Sequence, residues 1–423
     1  MAADGLKDML GRVSLTPVAR ARSILLEELA AVPLKTRKCT LPEALDRVLS
    51  STILSPENLP KHPRSTMDGF AVRAADTFGA SSSMPCYLEI DGDVAMGQMP
   101  EGEVTQGKCF RIATGGLLPK GSDAVVMFEH TIPVDGKMIE VVKSVGVGIN
   151  LIDCGEDIEK DSPALTKGHL LRPQDLGLLA GLGLSELTVY EKPTVGILST
   201  GDEIVPWSES PPPGKIRDIN SITLSGLCRR LGARVTDYGI VTDSEETFFA
   251  TVEQATRENS VVLFSGGSSV GMRDLGERVI EKLGNPGILV HGVALKPGKP
   301  IIIGLSNGCA IFGLPGHPVS AMVCFEFFVE PALRLLSGIP DPDKTLKPAV
   351  AALLDRNINS AAGRLDLVRV RLEEQENGPP LAVPVLGKSG SISTLSRAHG
   401  YFLIEEASQG LNKGTTVQVH LLL

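Results

Sequence analysis

From residue 193 onward, continuous apolar runs alternate with amphipathic helical stretches, and this alternation constrains the fold more than any other feature of the chain. The runs 194-TVGILST-200, 261-VVLFS-265 and 309-CAIFGL-314 have the character of strands buried on both faces. Further strands are expected at 234–241 and 288–291. Between them, 220–231 places Leu224, Leu227, Cys228 and Leu231 on one helical face, and Gly232 follows as a stop. Helices are also expected at 244–257, 275–283 and 318–337, the last ended by Gly338. Such alternation makes a mostly parallel sheet with helices on both faces, an α/β domain over residues 186–338.

A chain of 423 residues with 42% hydrophobic content can build more than one core, and two to four domains are expected. Residues 1–53 and 149–185 read as one elongated helical part. Its signals are the stripe Leu25, Leu26, Leu29, Val32 and the segments 41-LPEALDRVL-49 and 174-QDLGLLAGLGL-184. Residues 54–148 read as an inserted β-rich domain, with short alternating runs such as 123-DAVVMFEH-130 and 138-MIEVVKSV-145 among glycines and prolines. The proline-marked segment 339-IPDPDK-344 is a linker. Residues 345–423 alternate apolar and polar positions, as in 367-LVRVRL-372, and should form a small β-barrel or sandwich.

Aromatic residues make up 4% of the chain and the net charge is −9, so nucleic acid and membrane surfaces are poor partners for it as a whole. Small anions in local basic pockets remain compatible. Seven scattered cysteines without a C-x-x-C, and the absence of H-E-x-x-H, argue against a disulfide framework and a zinc site. No apolar run reaches membrane-spanning length and no leader pattern is present, so the expected location is the cytoplasm.

Ligands of open parallel sheets sit beyond the carboxyl ends of the strands. Four loops are expected there. Loop 199–203 carries Ser199, Thr200, Gly201, Asp202 and Glu203. Loop 265–274 carries Ser265, Gly266, Gly267, Ser268 and Asp274. Loop 295-LKPGKP-300 sets Lys296 and Lys299 between prolines, which fix φ and pre-order two cations. Loop 314-LPGHPVS-320 carries Pro315, Gly316, Pro318 and Ser320. Glycines allow close backbone approach, hydroxyls and helix-start N–H groups donate, and Glu203, Asp243 and Asp274 could hold Mg²⁺ beside phosphate oxygens. Helix N-capping is the alternative for Asp243 and Asp274. His291 and His317 read as exposed or supporting side chains rather than metal ligands.

Together, 196-GILSTGDEI-204, 217-RDIN-220, 265-SGGSSVG-271, 295-LKPGKP-300 and 313-GLPGHPVS-320 resemble the MoeA family, the molybdopterin molybdenumtransferases, which are similar to the C-terminal domain of gephyrin. The resemblance extends to 65-STMDGFAV-72, 111-RIATGGLLPKGSDAVVMFE-129, 155-GEDI-158, 363-GRLDLVRVRL-372 and 389-SGSISTLSRAHG-400. It implies insertion of molybdate into adenylylated molybdopterin, with Mg²⁺ present and AMP released. It also implies a homodimer whose cleft draws residues from both subunits, with a molybdopterin adenylyltransferase as a candidate partner. Catalytic roles are implied for Asp68, Glu203, Asp243, Asp274, Lys296 and Lys299. Ligand-binding roles are implied for Thr114, Asp157, Asp218 and Asn220, and for Arg364, Arg369, Ser389 and Ser393 of the last domain.

The sequence departs from the family pattern in three places. Ile152 stands where an arginine is usual, Arg64 where an asparagine is usual, and His317 where an asparagine is usual. Arg64 is expected to supply the missing charge, pointing into the cleft of the other subunit. A molybdopterin adenylyltransferase, a non-catalytic scaffold and a specialised, tungstate-using copy are the competing readings.

Overall fold

The computed structural model describes residues 15–242, 244–266, 270–342 and 347–422. The chain forms two compact units. One comprises the residues up to Arg37, Asp46–Ser50 and the chain from Thr188 onward; the other comprises Lys38–Leu45 and Ser51–Leu187.

The first unit contains the α/β sheet. Its strands are β1 (Thr194–Thr200), β2 (Arg234–Val241), β3 (Val261–Gly266), β4 (Pro286–His291), β5 (Ile302–Ser306) and β6 (Cys309–Pro315), in the order β2-β1-β3-β6-β5-β4. β2, β1, β3 and β6 run parallel, while β5 is antiparallel to both of its neighbours. β4 therefore points the same way as β6, and the β4–β5 connection opens at the same edge as the carboxyl ends of β1, β3 and β6. The central strands are buried along nearly their whole length, as their unbroken apolar runs require.

Helices cover both faces. On one, α1 (Val18–Ala30) and α2 (Asn220–Arg230) turn Val18, Ala21, Leu25, Leu29, Leu224 and Cys228 into a shared core with Ile197, Leu263 and Phe312. On the other, α3 (Glu245–Glu258) contributes Phe248, Val252 and Ala255, and α4 (Val270–Leu283) contributes Leu275, Val279 and Ile280. The apolar stripe of α1 thus belongs to the α/β core, whereas the sequence reading grouped it with 149–185. The segment 41–49, expected to be helical, forms only a short 3-10 turn over Leu41–Ala44: Leu45 is already extended, with ψ at 136°, and Asp46 then takes a left-handed φ of 57°.

Strands β7 (Ala349–Leu354), β8 (Leu365–Glu373), β9 (Leu381–Pro384), β10 (Gly400–Ile404) and β11 (Thr416–Leu421) close into a five-stranded barrel, since β10 pairs with both β11 and β8. Ala352, Leu354, Val370, Phe402 and Val419 fill its interior. Leu295–Lys296 adds in parallel to the start of β8, Lys296 beside Asp366, which ties the lysine loop to the barrel. Lys347 reaches Glu326 at 2.6 Å and Glu330 at 3.0 Å, and Tyr401 donates to Glu326 at 2.7 Å, closing the barrel onto the long final helix of the α/β part.

The second unit centres on a six-stranded sheet ordered Ala124–Met127, Gly69–Val72, Lys108–Ile112, Cys86–Asp93, Met138–Val141, Thr131–Asp135. A Cβ on Gly69 would lie 1.9 Å from the Val126 carbonyl oxygen, so only glycine fits this strand crossing. Residues 149–185 carry one helix, Pro173–Gly181, and otherwise short strands: Leu151–Ile152 pairs with Arg64–Ser65, and Pro163–Leu165 with Ile53–Leu54. Asp175 in the first turn of that helix is buried, accepts from the Arg172 backbone N–H and guanidinium, and lies 2.8 Å from His169. The Arg172 hydrogen bond, with help from His169, holds the Asp175 carboxyl well below its ordinary range against the opposing effect of burial. A depressed folded-state pKa gives stability that is complete above the unfolded value and is lost as the pH falls below about 4. Asp175→Asn is therefore expected to cost about 2 kcal/mol at neutral pH. In denaturant melts, the gap to the parent should close progressively below about pH 4.

Candidate functional site: a cationic cleft at the strand ends

The four loops do converge. Ser199, Ser265 and Leu314 are register partners on β1, β3 and β6, and the β4–β5 connection brings the lysine loop to the same edge. A Cβ on Gly266 would lie 1.9 Å from the Thr200 carbonyl oxygen, so the glycine lets the ends of β1 and β3 close on each other. The hydroxyls of Ser199 and Ser265 and the amide oxygen of Asn220 are buried and have no hydrogen-bond partner among the described residues. Buried polar atoms are almost always satisfied, so three orphans at a ligand-binding edge mark a place for a polar ligand. Asn220 donates to the Gly316 carbonyl at 3.0 Å, and buried Asp218 accepts from the Ser221 N–H at 3.0 Å, fixing the start of α2 beside them.

Next to these atoms lies a cleft of about 350 Å³. Lys296, Lys299 and Arg364 supply its cations, and Pro315, Gly316, His317, Ser320 and Ser389 line the rest of its polar wall. Among the described residues no carboxylate lines it. The Arg364 Nε is buried without a partner among the described residues. Lys296 donates to Asp366 at 2.8 Å, and Asp366, which is buried, also accepts from Ser360 at 2.9 Å. Removing the lysine strands a buried carboxylate. Lys296→Met is thus expected to cost about 2–3 kcal/mol of stability, and Asp366→Asn in the same chain should recover most of it. Differential scanning fluorimetry of the single and double variants measures this.

The remaining sequence candidates fall in several places. Arg369 is not in the cleft: it is buried on β8, donating to Thr394 and, at 3.1 Å, to the Gly387 carbonyl. Burial depresses its pKa. It holds the segment that carries Ser389, while Ser393 is exposed on that segment, outside the cleft lining. Pro318 opens the helix after the His317 turn. Glu203 folds back over Gly201, where an added Cβ would lie 2.7 Å from its Oε2, and Asp202 is exposed beside it. Asp274 is the fifth residue of α4, so it does not cap that helix. Asp243, Gly267 and Ser268 lie outside the described residues.

Asp68 and Thr114 belong to the second unit. The Thr114 N–H donates to Asp68 at 2.7 Å, and this bond lowers the carboxyl's pKa. Arg64 donates to the Gly115 carbonyl at 2.7 Å, so both motifs grip one turn. Arg64 stands opposite Ile152 in the antiparallel register, and such partners share a face. Its charge therefore lies one strand from position 152. Asp157 is exposed, its N–H bonded to the Leu59 carbonyl at 3.1 Å. The sequence reading did not use Asp366 or the His317–Ser389 contact; the L-P-G-H-P-V-S loop pointed to the first partner's position but not to the second.

A parallel-rich α/β domain with a cationic cleft at its strand ends, joined to a β-barrel that contributes to that cleft, defines a multidomain protein with an anion-suited site at the sheet edge. Three family models match in order: the MoeA N-terminal region (domain I and II) over residues 16–183, a "Probable molybdopterin binding domain" over 196–335, and the MoeA C-terminal region (domain IV) over 351–422. The chain belongs to the MoeA family. It is 34% identical to the molybdopterin molybdenumtransferase of Haemophilus influenzae, over 95% of this chain and 98% of that one. It is also 34% identical to the Bacillus subtilis molybdopterin molybdenumtransferase, over 92% and 90%. The solved molybdopterin biosynthesis MoeA protein of Pyrococcus horikoshii superposes with a TM-score of 0.83 at 33% identity, covering 97% of this chain and all of that one. Among the described residues no helix is long and apolar enough to cross a membrane.

Proposed function

We propose that this chain is a molybdopterin molybdenumtransferase, a transferase of molybdenum cofactor biosynthesis that inserts molybdate into adenylylated molybdopterin and releases AMP. The observation that carries this reading is the pairing of two neighbouring features: a cleft lined by three cations and, among the described residues, by no carboxylate, and a strand edge whose buried hydroxyls and amide oxygen have no partner among the described residues. The cleft suits a small dianion. Lys296, Lys299 and Arg364 offset its charge, and the hydroxyls of Ser320 and Ser389 donate to its oxygens. The edge formed by Ser199, Ser265 and Asn220 suits the polar, phosphate-bearing ligand. Binding both side by side removes the entropic barrier of bringing molybdate to the dithiolene sulfurs.

Mg²⁺ would be held by Glu203, Asp243 and Asp274. The Glu203 carboxylate packs against Gly201 at the end of β1 and is compatible with this role. Among the described residues no three metal-ligating side chains cluster. Mg²⁺ needs only one or two carboxylates when phosphate oxygens and waters complete its shell. Bound there, the ion would neutralise phosphate charge during cleavage of the phosphoanhydride.

The active form is a homodimer, with Asp68, Thr114 and Arg64 reaching the cleft of the other subunit. Sedimentation at twice the chain mass, and restored activity when Asp68→Asn and Lys299→Ala chains are mixed, test it together. The reaction itself is tested by incubating the protein with adenylylated molybdopterin, molybdate and Mg²⁺. Molybdate-dependent AMP release supports the transferase. Synthesis of the adenylylated ligand from ATP would instead make it an adenylyltransferase, and neither activity would leave a scaffold.

A further inference from the structure

We propose that Arg369 is a positioning residue of the oxyanion cleft, acting through Ser389; the proposal rests on reading that cleft as an oxyanion site. Ser389 lines the cleft from the barrel side. It belongs to residues 385–392, which lie outside every strand and helix, between β9 and the short helix Ser393–Ser396. A segment without ladder bonds keeps its place only through the individual contacts it makes. Toward the cleft, Ser389 makes two. Its hydroxyl lies 2.8 Å from His317 Nδ1, and its carbonyl accepts from the Val319 N–H at 3.1 Å.

Arg369 supplies the hold from within the barrel. It is buried on β8, and its guanidinium grips the chain on both sides of Ser389. One nitrogen donates to the Gly387 carbonyl at 3.1 Å, ahead of Ser389. Another donates to the Thr394 hydroxyl, beyond it. Thr394 is buried too and passes the hold on, donating to the Ser391 carbonyl at 2.7 Å. A Cβ on Gly387 would lie 2.6 Å from Thr394 Cγ2, so the two gripped ends pack against each other. The Val385 N–H adds a backbone bond to the Arg369 carbonyl at 2.8 Å. A planar guanidinium fixes two acceptors in one geometry, which an ammonium on a flexible stem does not reproduce. Burying it costs desolvation energy that two neutral acceptors return only in part, so what the fold gains is placement of the Ser389 turn rather than stability.

The test is equilibrium dialysis of molybdate against the full chain, with a thermal melt of each variant. Arg369→Met removes the fork but fills similar space, so melting should hold while affinity falls about tenfold. Arg369→Lys keeps a cationic side chain and should lose affinity to the same extent, which separates placement from charge. Thr394→Val removes one end of the grip and leaves the arginine in place; it should shift affinity in the same direction, whereas Thr394→Ser should bind like the parent. Ser389→Ala should weaken binding by itself. Adding Arg369→Met to it should bring no further loss, because misplacing a serine costs nothing once its hydroxyl is gone. Losses that multiply in the double variant, or an Arg369→Lys chain that binds like the parent, would overturn the proposal and leave the cleft reading standing. A parent chain that binds no molybdate would instead overturn the reading of the cleft.

Discussion

Lys299→Ala is expected to weaken molybdate use by roughly 30- to 150-fold, equivalent to about 2–3 kcal/mol of lost charge-assisted binding. Lys299 is half-buried in the loop that lines the cleft, and the effect on stability is expected to be smaller than the effect on molybdate use. Lys296 is bonded to buried Asp366, which makes it part of the barrel junction as well as of the cleft. Titrating molybdate into the AMP-release assay, alongside a thermal melt, separates the two roles. The cleft reading survives only if the Lys299→Ala curve shifts to higher molybdate with the melting temperature held. An unchanged molybdate dependence would remove Lys299, and with it the lysine loop, from the oxyanion site.

Asp274→Asn is expected to slow AMP release by about 100-fold, the usual scale for removing one electrostatic contributor from a phosphoryl-cleaving site. Asp274 lies within α4, where aspartate and asparagine have similar helix propensity, so the melting temperature should stay within about 1–2 °C of the parent. Raising Mg²⁺ should recover part of the loss if the carboxylate helps to hold the ion. Early melting with full specific activity would assign Asp274 a purely structural place in the helix. Glu203→Gln offers a parallel measurement from the other side of the site, at the end of β1.

The amino-acid sequence by itself determined the features that depend on local pattern. Unbroken apolar runs at 194–200, 261–265 and 309–314 read as strands covered on both faces, and the stripe Leu224, Leu227, Cys228, Leu231 marked a helix packed on them. The chain order of those elements then placed the Ser199, Ser265, Lys296 and Pro315 loops at one edge, because parallel strands put their carboxyl ends together. What the tertiary structure alone decided depends on register and long-range packing. Nothing local distinguishes Arg364 from Arg369, yet one lines the cleft and the other is buried against Thr394 and Gly387, because 369 shares strand parity with Leu365 and Leu367. The expected helix over 41–49 stops at Leu45, where the backbone turns extended ahead of the left-handed Asp46. The pairs Lys296–Asp366, His317–Ser389 and Arg64 opposite Ile152 join residues 70, 72 and 88 positions apart in the sequence. Such contacts leave no periodic trace in the chain, since they are set by how a barrel docks on a sheet edge and by which residues two short strands bring level.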